Sequence, residues 1–304
     1  MTELEIEAFL AIVKTGSVTK AAEQLFVSQS SLSRRLKTLE SELGYPLLAR
    51  RKGSRITEIT PAGAAFLPVA EQWRALWRDS RSVLPATNRP TLRVGAVDSV
   101  NTYIMLQIYR QIMDERPDIY LKIVGSGSIE AYRLMERGTL DLSLVAYPMY
   151  SRSISVVPVF QEEMRLIGGS ALPDKEALHP YDLDVRQEVY VDWNREFVQW
   201  HEFWFGSEIR PRVFVTKMTF LERLLFDGGW AIVPASAAEY ITRSYGLQER
   251  RLLEQPADRV IYMLRTLDRW NNPLIECVLG YLTEALQHIG GITPLYTNGA
   301  NTII

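Results

Sequence analysis

The sequence predicts an α + α/β chain in three consecutive parts: a small helical head with a helix-turn-helix and a wing, a long linker helix, and an α/β body of two similar halves. Three observations carry this reading. Between Ser17 and Leu43 two helical patterns flank a tight turn, and the second has leucines on one face and short polar or cationic residues on the other. From Pro85 to Pro90 a polar stretch bounded by prolines interrupts the pattern, as a domain boundary does. Beyond it strand-like and helix-like segments alternate, which implies parallel sheet with right-handed crossovers.

Composition bounds the function. At 304 residues the chain exceeds one core of ordinary size, and 47% hydrophobic residues place it among folded globular proteins. No charged leader precedes an apolar run, and no apolar stretch is long enough to span a bilayer, so a cytoplasmic protein without a membrane partner is expected. The single cysteine, Cys277, excludes an internal disulfide and a Cys-rich metal site, and reads as an inert core residue. A formal net charge of -2 argues against nucleic acid as a partner of the whole surface. The distribution of charge argues the other way: Ser28 to Glu58 holds seven cations against three carboxylates, a local charge of +4. A basic patch on an acidic whole is the footprint of a DNA-binding head.

The head, residues 1–59, starts at once. Thr2 and Glu5 form a capping-box pattern, Ile6, Phe9, Leu10 and Val13 make a buried stripe, and Gly16 is the expected left-handed terminator. Ser17 caps a short second helix whose Ala21 and Ala22 let another helix cross closely. After the turn Phe26-Val27-Ser28, Ser28 caps the third helix, with Leu32, Leu36, Leu39 and Leu43 facing a core. Gln29, Ser30, Ser33, Arg34 and Lys37 lie opposite, a face suited to a major groove. Gly44 ends this helix, and two short extended pieces around Lys52-Gly53-Ser54 read as a wing whose cations Arg50, Arg51, Lys52 and Arg55 stand beside the groove.

Residues 60–89 form the linker and hinge. Thr60-Pro61 is a helix start, and Phe66, Val69, Trp73, Leu76 and Val83 recur at heptad-like spacing with Ser80 in the seam. The stripe needs a partner, either the same helix of a second chain or the rest of its own domain. Pro68 should bend the helix.

The body, residues 90–304, divides into a first half of about 90–163 with 266–304 and a second of about 164–265. Strands are read at 92–97, 119–125 and 140–146 in the first half, and a second run begins near Met164. A strand is read at 260–265, an amphipathic helix from Pro273 to Ile289, and a fraying tail from Thr293. Such halves place a ligand cleft between them, at strand carboxyl ends and helix N-termini. Ser99, Val100 and Asn101, Gly125 and Ser126, Ala146, Trp193 and Asn194, and Lys217 and Met218 fall at those positions. Trp193, Phe197, Trp200 and Trp204 share one helical face, which reads as a core stripe, with the alternative that Trp193 projects into the cleft.

Catalytic and cofactor signatures fail one by one. His201-Glu202 opens like a zinc-protease motif, but Phe205 stands where the second histidine belongs. Gly168-Gly169-Ser170-Ala171-Leu172 lacks the second glycine of a nucleophile elbow, and no loop pairs glycines with a lysine to cradle phosphate. Neither catalysis, a metal nor a cofactor is expected, although turnover on the α/β body stays open as a competing function. A solute-binding module is a further alternative, against which the head argues.

The stretch FLAIVKTGSVTKAAEQLFVSQSSLSRRLKTLESELGYPLLAR, followed by ITEITPAG, resembles the head of LysR-type transcriptional regulators almost residue for residue, and the body resembles theirs more loosely in length and element order. The resemblance implies a winged helix-turn-helix, a linker helix that dimerises it, and a periplasmic-binding-protein-like effector domain of two subdomains. It implies homodimers or homotetramers on inverted-repeat operators in double-stranded DNA, contact with RNA polymerase, and control by a small-molecule effector in the cleft. Carried over, Gln29, Ser33 and Arg34 face bases, and Ser30 and Lys37 support them or meet phosphate. Ser30 stands where the family often has proline.

Overall fold

The computed structural model describes residues 1–50, 57–81, 89–169, 172–225, 228–267 and 272–296. The chain divides into two compact units, Met1–Pro90 with Glu136–Thr139, and Thr91–Met135 with Leu140–Ile304.

In the first unit α1 (Glu3–Thr15), α2 (Val18–Gln24) and α3 (Gln29–Leu43) are cut from the chain by local signals. The Glu5 carboxylate accepts from the Thr2 N–H at 2.7 Å, the Ser17 hydroxyl accepts from Lys20, and the Ser28 hydroxyl accepts from the Ser31 N–H at 3.2 Å. Gly16 and Gly44 close α1 and α3 with φ of 65° and 79°. Ile6, Phe9, Leu32, Leu36 and Leu39 form the core, with Leu43 partly buried at its edge. The Glu40 carboxylate accepts from Leu47 and Leu48 N–H groups at 2.7 and 3.1 Å and so sets the start of β1 (Leu48–Arg50), which pairs antiparallel with β2 (Thr57–Ile59). The wing tip read at Lys52-Gly53-Ser54 lies outside the described residues.

The linker helix α4 (Pro61–Arg81) is capped by Thr60, whose hydroxyl accepts from the Gly63 N–H at 2.9 Å and donates to the Pro46 carbonyl at 2.8 Å. Its stripe divides. Phe66 and Ala70 enter the head core, Phe66 lying 5.6 Å from the Phe9 ring. Val69 and Leu76 stay half exposed, and Trp77 stacks on Trp73 at 5.4 Å. Both expected partners for this helix therefore have residues to serve them; Val83 lies outside the described residues.

The second unit is built on two sheets. Six strands run in the order β14-β6-β13-β5-β3-β4, with β3 (Thr91–Ala96) parallel to β4 (Tyr120–Gly125) and β5 (Leu142–Val145). Helical segment α5 (Asp98–Val100) passes through a π-helical turn, Asn101–Met105, into α6 (Leu106–Glu115), and α7 (Ser128–Glu136) follows β4. From β6 (Ile154–Glu162) the chain crosses to a four-stranded sheet ordered β11-β7-β12-β8, formed by β7 (Met164–Gly168), β8 (Ala177–Leu178), β11 (Trp230–Pro234) and β12 (Gln248–Leu252). Around it lie β9 (Val189–Tyr190) paired with β10 (Val213–Phe214), and α8 (Arg195–Phe205), α9 (Met218–Leu224) and α10 (Ala235–Tyr245). The chain returns through β13 (Arg259–Thr266), α11 (Pro273–Leu286) and β14 (Ile292–Pro294).

Three expectations need correction, and three elements are not expected from the sequence. The boundary expected at residue 265 falls before β13, which pairs along its whole length with β6 in the first sheet. β6 itself, α10 and β12 have no clear sequence signal; β6 accommodates Pro158 beside a bulge at Val159, where the register slips between Ile261 and Tyr262. Thr293 does not fray, because β14 adds to the edge of the sheet against β6. Cys277 is only partly buried.

Gly63 is fixed by packing. A Cβ there would stand 2.1 Å from the Leu47 carbonyl oxygen and 2.9 Å from the Ile59 side chain. Gly63→Ala should therefore push α4 off the wing base and cost about 1–3 kcal/mol. Urea denaturation checks this; an unchanged midpoint would count against the close approach.

Candidate functional site

On the head, α3 separates its faces. Leu32, Leu36 and Leu39 are buried, whereas Gln29, Ser30, Arg34 and Lys37 are exposed and Ser33 is partly so. Ser30 places its hydroxyl 3.0 Å from that of the capping Ser28, so the residue found where the family often has proline joins the cap of the helix. Arg50 ends β1 opposite Thr57. Its side chain, with Arg51, Lys52 and Arg55, lies outside the described residues. One feature has no sequence signal: Phe26 in the turn has φ 53° and is 96% exposed.

In the body a cleft of about 640 Å³ opens between the two sheets. Ser99, Ser126, Ala146, Trp193, Lys217 and Met218 line it, as expected from their places after strands and at helix starts. Four expected residues do not. Val100 is buried in the hydrophobic core of the first sheet. Asn101 donates to the Ala96 and Val124 carbonyls at 3.1 and 3.3 Å and accepts from the Tyr109 hydroxyl at 2.7 Å, so it ties β3 to β4 from behind. Gly125 closes β4 outside the lining. Asn194 caps α8, its side-chain oxygen accepting from the Phe197 N–H at 2.7 Å.

Asp98, Ser128, Tyr147, Asp192 and Arg259 complete much of the lining. Arg259 is almost wholly buried. Its guanidinium donates to Glu162 through Nε at 3.1 Å and through Nη2, and to the Ser99 hydroxyl at 3.0 Å, while lying 5.2 Å over the Trp193 ring. The other Glu162 oxygen accepts from the Ser236 hydroxyl at 2.7 Å. A buried ion pair thus joins strands of the first sheet to α8 and α10 beside the second.

Trp193 belongs to the core of the second half and forms part of the cleft wall. It is 5% exposed and donates its indole N–H to the Ile232 carbonyl at 2.7 Å, yet part of it reaches the cleft wall. Farther along α8, buried His201 pairs with buried Glu188 at 2.6 Å, and burial raises the Glu188 carboxyl above its ordinary value while the histidine contact lowers it. That contact explains a histidine within an aromatic helix without a metal. Across the cleft Asp98 accepts from the Met218 N–H at 2.7 Å and from the Lys217 ammonium at 3.5 Å, capping α9 from the opposite side. Tyr103 donates to Glu222, and burial first, then that carboxylate, raises its hydroxyl pKa.

Two sequence signals point at the unexpected residues. Arg259 is a cation at the head of a strand that continues with the apolar run Val260 to Leu264, and Glu162 is a carboxylate at the end of another. Their meeting depends on strand order, which no local pattern carries.

Comparison with known proteins agrees with this architecture. Residues 4–64 match the family described as bacterial regulatory helix-turn-helix protein, lysR family, and residues 85–287 match the LysR substrate binding domain. The chain belongs to the LysR family. A probable RuBisCO transcriptional regulator of Trieres chinensis is 32% identical over 195 residues, 62% of this chain and 60% of that protein. For three curated relatives the match spans 60%, 56% and 61% of their own length. Among solved structures, a full-length OxyR variant from Pseudomonas aeruginosa has a TM-score of 0.66 at 20% identity, covering 93% of this chain and 94% of that one. Full-length CbnR complexed with its target DNA has a TM-score of 0.64 at 21% identity, covering 94% of this chain and all, 100%, of that one. These likenesses establish the fold. No described helix is long and apolar enough to cross a membrane.

Asp98→Ala should remove the cap of α9 and cost about 0.5–2 kcal/mol. Hydrogen exchange of the Met218 amide should then quicken with the rest of the body unchanged; equal protection in both proteins would contradict the role of Asp98.

Proposed function

We propose that this protein is a sequence-specific DNA-binding transcriptional regulator, controlled by a small molecule bound in the cleft of its body. The observation that carries the reading is the two-faced α3, which buries Leu32, Leu36 and Leu39 and holds Gln29, Ser30, Arg34 and Lys37 in solvent. Arg and Gln side chains can contact base edges bidentately, and Lys neutralises phosphate. On this reading Gln29, Ser33 and Arg34 specify sequence, while Ser30, Lys37 and the wing cations Arg50, Arg51, Lys52 and Arg55 position the head.

The exposed Val69 and Leu76 of α4 suit a second copy, which would double the half-site and favour an inverted-repeat operator. CbnR has been solved on its target DNA, and this chain shares that fold, which supports double-stranded DNA as the partner here. A homodimer or homotetramer working in the cytoplasm, touching RNA polymerase near its promoters, fits the same reading. Ser99, Ser126, Ala146, Trp193, Lys217 and Met218 are its effector-facing residues. Val100, Asn101, Gly125 and Asn194 support them from behind. No catalytic role is assigned to the body.

Selection of binding sites from random duplex DNA with the full chain, followed by titration, tests this function. Arg34→Ala should relax specificity at one base position and cost about 1–3 kcal/mol there, while Lys37→Ala should weaken all sequences evenly and lower the salt slope by about 1. Failure to enrich any sequence, or an Arg34→Ala protein with undiminished specificity, would overturn it.

A further inference from the structure

The charges around the cleft do not balance, and the imbalance bears on what the cleft holds. Its lining cations are each matched. Arg259 rests on Glu162, Lys217 faces Asp98 at 3.5 Å, and Arg133 faces Glu130 at 3.9 Å. Asp192 is the carboxylate left over. It lines the cleft at the loop before α8, and among the described residues it has no hydrogen bond and no ion pair. Glu196, in the first turn of α8, is equally without a partner among the described residues, and the adjacent Arg195 pairs with neither.

Both carboxylates act on Tyr147, across the cleft after β5. Burial raises the Tyr147 hydroxyl pKa, and the nearby charges of Asp192 and Glu196 raise it further. Burial also raises the Asp192 carboxyl, with no cation drawing it back. The surroundings are apolar and aromatic, with Met149, Val191 and Trp193 on the same lining. The Trp193 ring already carries the Arg259 guanidinium, so Tyr147 is the aromatic ring left for a second cation.

We propose that the ligand of this cleft carries a positively charged nitrogen, a primary or quaternary ammonium, seated against the Asp192 carboxylate and the Tyr147 ring. A cation there gains the charge of an unmatched carboxylate and the face of an aromatic ring in a site that ligand closure dries. An anionic ligand would find every lining cation, Arg133, Lys217 and Arg259, already facing a carboxylate. The proposal deepens the effector-cleft reading and rests on it.

The test uses the full chain in thermal-shift and calorimetric titrations with three sets of probes. These are the amines cadaverine, choline and L-lysine methyl ester, the neutral diacetylated counterparts of cadaverine and lysine methyl ester, and the anions succinate and benzoate. Three variants accompany the native chain: Asp192→Asn, Glu196→Gln, and Gly127→Trp, which puts an indole into the cleft where a Cβ meets nothing within 4 Å. At least one amine should raise Tm and bind, its acetylated counterpart should not, and Asp192→Asn should weaken it about tenfold or more. Glu196→Gln should weaken it less, and Gly127→Trp should abolish it. Binding by anions only, by no amine, or by an amine indifferent to Asp192→Asn overturns the proposal. Anion binding lost in Gly127→Trp would remove the cation assignment and keep the cleft. Amine binding that survives both Asp192→Asn and Gly127→Trp would remove the cleft as well.

Discussion

The body depends on one buried ion pair. Glu162 ends β6, where the chain leaves the first sheet, and Arg259 begins β13, where it comes back; the two are direct neighbours in the register of that sheet. Taking both charges out of water costs several kcal/mol each, and such a pair persists only when its remaining donors and acceptors are used. Here they are: Glu162 also holds Ser236, and Arg259 also holds Ser99 and lies over Trp193. The network fixes the crossing strands against α10 and the start of α8, and it places Ser99 and Trp193 at the cleft.

The cleft is consequently a by-product of how the crossing is held. Its walls come from loops after parallel strands and from the starts of helices, where backbone groups lack partners within their own element. Asp98 supplies one such partner across the cleft by capping α9, and Tyr103 reaches Glu222 nearby. The Asp98 contacts with Lys217 and Met218 span the space a ligand would enter, so binding there can alter how the two sheets are joined. The head follows a simpler rule. A leucine stripe holds α3 to α1 and leaves Gln29, Ser30, Arg34 and Lys37 exposed on the opposite face.

Legibility in the sequence follows the range of the interactions. Head elements are set by contacts three or four residues apart, such as Ser28 with Ser31 and Glu5 with Thr2, and their bounds can be read directly. In the body the parallel run β3, β4 and β5 is equally plain from its apolar segments. β6 is hidden because Pro158 looks like a breaker unless the bulge at Val159 beside it is known, and β13 falls on the wrong side of the expected boundary because sheet order is not local. Among the residues that line the cleft, Ser99, Ser126, Lys217 and Met218 can be found from position after a strand or before a helix. Asn101 and Asn194 meet the same rule and serve the backbone instead, because an amide side chain at a helix start is as apt to cap or tie as to bind. Arg259 needs the fold, and so does the surplus of charge at Asp192.

A double-mutant cycle in which Glu162 and Arg259 are each replaced by Met, read by urea denaturation of the full chain, tests the central claim most directly. Each single change should cost about 3–5 kcal/mol by leaving a buried charge alone, and the double change should cost far less than their sum. Costs that simply add would contradict the account, since the two side chains would then not be holding the crossing together.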